Sequence, residues 1–162
     1  PNVVPTMRLA CDVSVAEGGR HLHVVESATS VPAVLAVLAV AATDALSLDD
    51  LEATARGVRA GEVVAAVRDA DTPLGAVREG QWLAVVDGEV VAATDHPGDA
   101  LVAVLDALVD DDSEIVTLVA GAGAPPDERQ RVVDDLQAAR PGVEVDVVDG
   151  GQRPARWIVG VE

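Results

Sequence analysis

The chain reads as an α/β protein built on a mixed sheet, and three features of its sequence predict this. Val-rich runs at Glu62–Arg68, Gln81–Val86, Glu89–Ala93, Ile115–Val119, Val143–Val148 and Trp157–Val161 have the length and β-branched content of strands. Two longer segments among the later runs carry apolar residues at helical spacing. Asp87-Gly88 between two of the runs is a two-residue hairpin turn, so at least one strand pair is antiparallel.

Residues 1–56 read as the remainder of a parallel α/β lobe whose first strands are missing. Pro1 opens the chain and Met7 is its one methionine, which suggests a piece of a longer protein. His21–Val25 is a short strand candidate. After Ser30, Pro32 marks the first turn of a helix to Val40, apolar on every side and so expected to be covered all round. A second helix starts at Ser47, with Asp50 completing a capping-box variant, and carries Leu48, Leu51, Ala55 and Val58 on one stripe. Gly57 and Gly61 are read as closing it.

Residues 57–162 predict a second lobe. Pro97–Val109 places Leu101, Val104, Leu105 and Leu108 on one helix face, and Pro126–Ala139 does the same with Val132, Val133, Leu136 and Ala139. Both begin beside Pro and acidic residues, as a helix N-terminus favours. Each helix separates two strands, an arrangement that normally yields parallel strands with right-handed crossovers. Ile115–Val119, almost continuously apolar, is expected to be central. Val143, Val145 and Val147 alternate with Glu144 and Asp146, so one sheet face meets water there. Six strands with two helices on one side make a two-layer lobe.

Composition limits the function. At 49% hydrophobic the chain can bury a substantial core, although it has no Phe, Tyr or Lys. A formal charge of −17 argues against nucleic acid or an anionic membrane and favours a basic counterpart. The uncharged run from Ser27 to Thr43 is shorter than the roughly 20 apolar residues a spanning helix takes. One cysteine forms no internal disulfide, and no secretion signal precedes the run, so the cytoplasm is the expected compartment.

Few residues suggest chemistry. Cys11, His21 and His23 are the one metal-like set, the two histidines sharing a face if they lie on a strand, but three ligands fall short of the four of a structural zinc site. No metal is therefore assigned. His96 precedes Pro97 and reads as a helix-start residue. Asp110-Asp111-Asp112-Ser113-Glu114 lacks the alternating ligands and Gly of a calcium loop. Gly121-Ala122-Gly123-Ala124 follows a strand as phosphate-binding turns do, without the Lys such a loop uses. No Gly-x-Ser-x-Gly elbow is present.

Several segments, in order and spacing, resemble one family. Gly61-Glu62-Val63-Val64-Ala65-Ala66-Val67-Arg68-Asp69, the hairpin Val86-Asp87-Gly88-Glu89-Val90-Val91, the run Asp111–Val119, and Val143–Gln152 ending in Asp149-Gly150-Gly151-Gln152 carry the likeness. They are similar to the C-terminal region of the dihydroxyacetone-kinase-like proteins that form the catalytic part of bacterial fatty acid kinase. The resemblance implies a two-lobed fold like that of DegV and dihydroxyacetone kinase proteins. It also implies a non-catalytic domain that docks a fatty-acid-binding DegV-family protein. ATP and magnesium are then expected in an N-terminal kinase domain beyond this sequence, with none bound here. Partner contact is expected at Asp149, Gly150, Gly151 and Gln152. The chain departs from the family pattern where Arg153 precedes Pro154, where Ala155-Arg156-Trp157 replaces a Tyr-rich segment, and where Ala28-Thr29-Ser30 stands for Pro-Thr-Lys-Ser. Two alternatives stand beside this reading. One is a lipid- or small-molecule-binding domain; the other is part of a dihydroxyacetone or glycerol phosphotransferase with His21, His23 or His96 holding the ketone.

Overall fold

A computed structural model describes residues 4–19, 22–25, 35 and 47–162. The chain divides into two compact units, Pro1–Gly57 and Val58–Glu162. In the first, α1 spans Val4–Ala16 and α2 spans Leu48–Gly57. The capping box at Ser47 forms as the sequence predicts. Asp50 Oδ2 accepts from the Ser47 amide at 2.9 Å, and Ser47 Oγ accepts from the Asp50 amide at 3.2 Å. Leu22–Val25 carry no regular secondary structure, so the strand expected over His21–Val25 does not form across its described part. Of the expected Pro32–Val40 helix only Leu35 lies among the described residues, and it is helical.

The second unit holds a six-stranded mixed sheet. Its strands are β1 (Arg59–Ala65), β4 (Trp82–Val86), β5 (Glu89–Thr94), β6 (Ile115–Ala120), β7 (Glu144–Asp149) and β8 (Ala155–Val161), in spatial order β5-β4-β1-β8-β6-β7. A separate hairpin pairs β2 (Ala70–Thr72) with β3 (Gly75–Val77). The sequence predicts a strand on through Arg68 and gives no sign of this hairpin, because Asp71-Thr72-Pro73-Leu74 lacks the apolar alternation that marks longer strands. Helix α3 (Pro97–Leu108) links β5 to β6, and α4 (Pro126–Ala139) links β6 to β7. The β6–β7 pair is parallel, with Ile115 opposite Glu144; every other neighbouring pair is antiparallel. The turn at Asp87-Gly88 has φ of 52° and 83°, the left-handed pair that a two-residue hairpin demands.

Both helices lie on one face of the sheet and share one core. Leu101, Val104, Leu105 and Leu108 of α3 and Leu136 of α4 pack with Val63, Ala84, Val116, Leu118, Trp157, Val159 and Val161. Gly61, which the sequence suggests as a close to α2, lies instead inside β1 under α3. A Cβ there would sit 2.6 Å from Val104 Cγ1 and 2.8 Å from the Val85 carbonyl oxygen, so helix and sheet meet closely only over a glycine. The middle of the sheet is β1 and β8 rather than β6, which is interior but next to the edge. On edge strand β7, Glu144 and Asp146 are exposed while Val145 packs on the core. Charge on an edge strand hinders pairing with another chain.

Candidate functional site

The C-terminal ends of β6 and β7 form a rim with the first turn of α4 and the start of β8. In open α/β sheets this is the side on which ligands and partners are usually met. Three segments converge there: the loop Gly121–Ala124, the turn Asp149–Gln152, and the strand opening Ala155-Arg156-Trp157.

The turn is bound into the fold from beneath. Gly150 and Gly151 amides both donate to the Ala120 carbonyl, at 3.0 and 3.2 Å. Gln152 Nε2 donates to the Val119 carbonyl at 3.0 Å. A Cβ on Gly150 would overlap Val119 Cγ1, and Gly151 has φ of 62°. Both glycines and the glutamine therefore answer demands of packing and backbone. Asp149 differs: its side chain is 70% exposed and meets Arg129, with Oδ2 3.2 Å from Nη1 and Oδ1 accepting from Nη2 at 3.4 Å.

The glycine-rich loop is equally occupied. Gly121 N–H donates to the Arg156 carbonyl, Ala122 N–H to the Gln152 carbonyl and Ala124 N–H to the Gly121 carbonyl. A Cβ on Gly121 would collide with the Ala155 carbonyl oxygen. Three amides of the loop thus face protein acceptors, and the sequence has no Lys to add. The loop does not fit a nucleotide phosphate, which takes free amides and a cation.

Under the rim lies a polar cluster that sequence reasoning does not assemble. Glu128, in the first turn of α4, pairs with Arg156, whose Nε donates to Oε1 at 3.0 Å; a second bond joins Nη2 to Oε2. Both side chains are largely buried, at 17% and 18% exposure. Trp157 Nε1 donates to the same Glu128 Oε1 at 3.2 Å, and the Arg156 guanidinium lies 5.7 Å from the Trp82 ring centroid. Both tryptophans of the chain belong to this cluster. The one signal in the sequence is an Arg set beside a Trp in a strand, where a buried indole N–H needs an acceptor.

The remaining candidates fall elsewhere. Cys11 is half-buried on α1, His23 is exposed, and His21 lies outside the described residues. Among the described residues no three His, Cys, Asp or Glu side chains are grouped to hold a metal ion. His96 starts α3, and its carbonyl accepts from the Ala100 amide at 3.3 Å. At the end of α3 the acidic run closes on itself. Asp110 accepts from Arg59 at 2.5 and 3.1 Å and from Ser113 Oγ at 2.8 Å. These bonds, Arg59 first, hold its carboxyl well below the usual range. No helix among the described residues is long and apolar enough to cross a membrane.

Sheet, rim and cluster together define a kinase-associated class of α/β domain once they are set beside known proteins. The chain belongs to the FakA-like C-terminal family of fatty acid kinases, whose sequence model matches residues 1–162. Among curated proteins it is 29% identical over 105 residues to protein SH1689 of Staphylococcus haemolyticus and 25% identical over 105 residues to protein YloV of Bacillus subtilis. Each match covers 65% of this chain and 19% of the relative, so the chain spans about a fifth of those proteins.

Proposed function

We propose that this chain is the non-catalytic C-terminal domain of a fatty-acid-kinase-like protein. Its role in this reading is to dock a fatty-acid-binding DegV-family protein, so that the acyl carboxylate reaches a kinase domain elsewhere in the longer chain. ATP and magnesium would act in that domain, and the whole would work in the cytoplasm. The two-lobed DegV and dihydroxyacetone-kinase-like architecture is part of the same proposal. The observation that carries it is the family match over all of residues 1–162. The rim supports it by what it lacks and what it offers: the glycine loop has its amides occupied, while Asp149 stands exposed.

With 28 acidic against 11 basic residues, the field of the domain favours encounter with a basic surface. The test is surface plasmon resonance between this chain and a DegV-family fatty-acid-binding protein across a salt series. Binding is expected, with the association rate falling as salt rises and the dissociation rate changing less. A chain that shows no binding at any salt concentration refutes the docking role.

A further inference from the structure

We infer that Arg129 is the positioning residue of the docking rim, presenting Asp149 to the partner in one preset orientation. This rests on the docking reading above and names the device that would make the surface selective.

The geometry is specific. Arg129 sits on the first turns of α4 with its side chain 23% exposed, far more buried than the Asp149 it holds. Its Nε donates to the Ala124 carbonyl at 2.8 Å, which fixes the plane of the guanidinium against the loop. The remaining two nitrogens then face both carboxylate oxygens of Asp149, at 3.2 and 3.4 Å. One side chain thereby ties the helix, the glycine loop and the turn. Lysine has no such fork, and its single ammonium would leave either the carbonyl or one carboxylate oxygen unmet.

An exposed pair of this kind contributes little to folding stability, because water screens it and each partner has rotamers to lose. Its effect falls on recognition instead. An aspartate already ordered by the fold loses less conformational freedom when a partner binds it, and affinity rises by the cost avoided. Below Asp149 the turn is fixed by Gly150, Gly151 and Gln152, so the carboxylate is the one part of the segment whose orientation depends on Arg129.

The experiment is a double-mutant cycle on binding to a DegV-family fatty-acid-binding protein, with melting temperatures measured in parallel. Arg129→Ala is expected to weaken binding about two- to tenfold, the ordering cost of one polar side chain. In the Asp149→Ala background the same change is expected to cost nothing more, since Arg129 acts through Asp149. Arg129→Lys is expected to fail to restore affinity while keeping the charge and the melting temperature. Additive losses, an unchanged affinity in Arg129→Ala, or full rescue by Lys would each overturn the inference and leave docking intact. An unmutated chain that does not bind overturns the docking reading and this inference with it.

Discussion

Replacing Glu128 by Ala tests the buried cluster where it is most exposed to failure. The change removes two bonds to Arg156 and the acceptor of the Trp157 indole N–H. Arg156 would then keep its charge at 18% exposure with no carboxylate beside it, and Trp157, fully buried, would hold an unmet donor. Breaking a buried ion pair by removing one partner costs about 3–5 kcal/mol, and some water reaches this one, so about 2–4 kcal/mol is expected. For a chain of this size that corresponds to a melting temperature lower by roughly 5–15 °C. Urea unfolding followed by tryptophan emission is the direct assay, because both tryptophans lie in the unit Val58–Glu162 and in the cluster itself. The denaturant slope is expected to stay constant while the midpoint falls. Glu128→Gln, which keeps an acceptor for the indole, is expected to lose about half as much. Adding Arg156→Met to Glu128→Ala is expected to recover part of the loss by removing the stranded charge. A loss below about 1 kcal/mol for Glu128→Ala would show that the pair is solvated and that the packing account is wrong.

The turn separates stability from recognition. Gln152→Ala is expected to cost about 1–2 kcal/mol, since it leaves the Val119 carbonyl without its side-chain donor, whereas Asp149→Ala is expected to stay within about 0.5 kcal/mol. Equal losses in chemical denaturation would contradict that division. Acid stability offers a second check, with a definite sign. The folded-state pKa of Asp110 is lowered by Arg59 and Ser113, so its contribution is complete above the unfolded carboxylate value of about 3.9 and is lost as pH falls below it. Urea midpoints taken from neutral pH downward are expected to drop in that range, and Asp110→Asn is expected to flatten the drop. An unchanged acid limb in the variant would count against the Arg59–Asp110 contact.

Much of the second unit is legible in the sequence because its signals are local. Asp87-Gly88 is sufficient for its turn, and Pro97 and Pro126 mark helix starts that the structure reproduces at those residues. The parallel β6–β7 pair follows from the length of its connection alone. What stays hidden depends on contacts distant in sequence. Gly61 reads as a helix stop until α3 is seen above it, and Glu128 reads as an N-terminal helix acid until β8 brings Arg156 and Trp157 to it. The expectation that β6 is central fails for a related reason. Hydrophobicity along a strand reports that both faces are covered, and a strand beside the edge satisfies that when a loop such as Gly150–Gln152 covers its second face at Val119.

The Asp149–Gln152 turn shows how a motif can be shared for reasons other than recognition. Gly150 is required because Val119 lies under it, Gly151 because of its positive φ, and Gln152 because it supplies a donor to a strand-end carbonyl. A sequence that folds this way would retain all three whatever it binds. Partner choice must then rest on what the turn exposes: Asp149, Arg153, and the neighbours that orient them. Arg153 is exposed and stands where the family pattern places Pro, so this chain presents a cation beside the acid held by Arg129. A partner selected by this rim must accommodate both charges within a few residues, and a surface that is merely basic would meet repulsion from Arg153. The overall acidic field brings such a partner near; the pairing of Asp149 with Arg129, next to Arg153, is the local pattern that decides whether it stays.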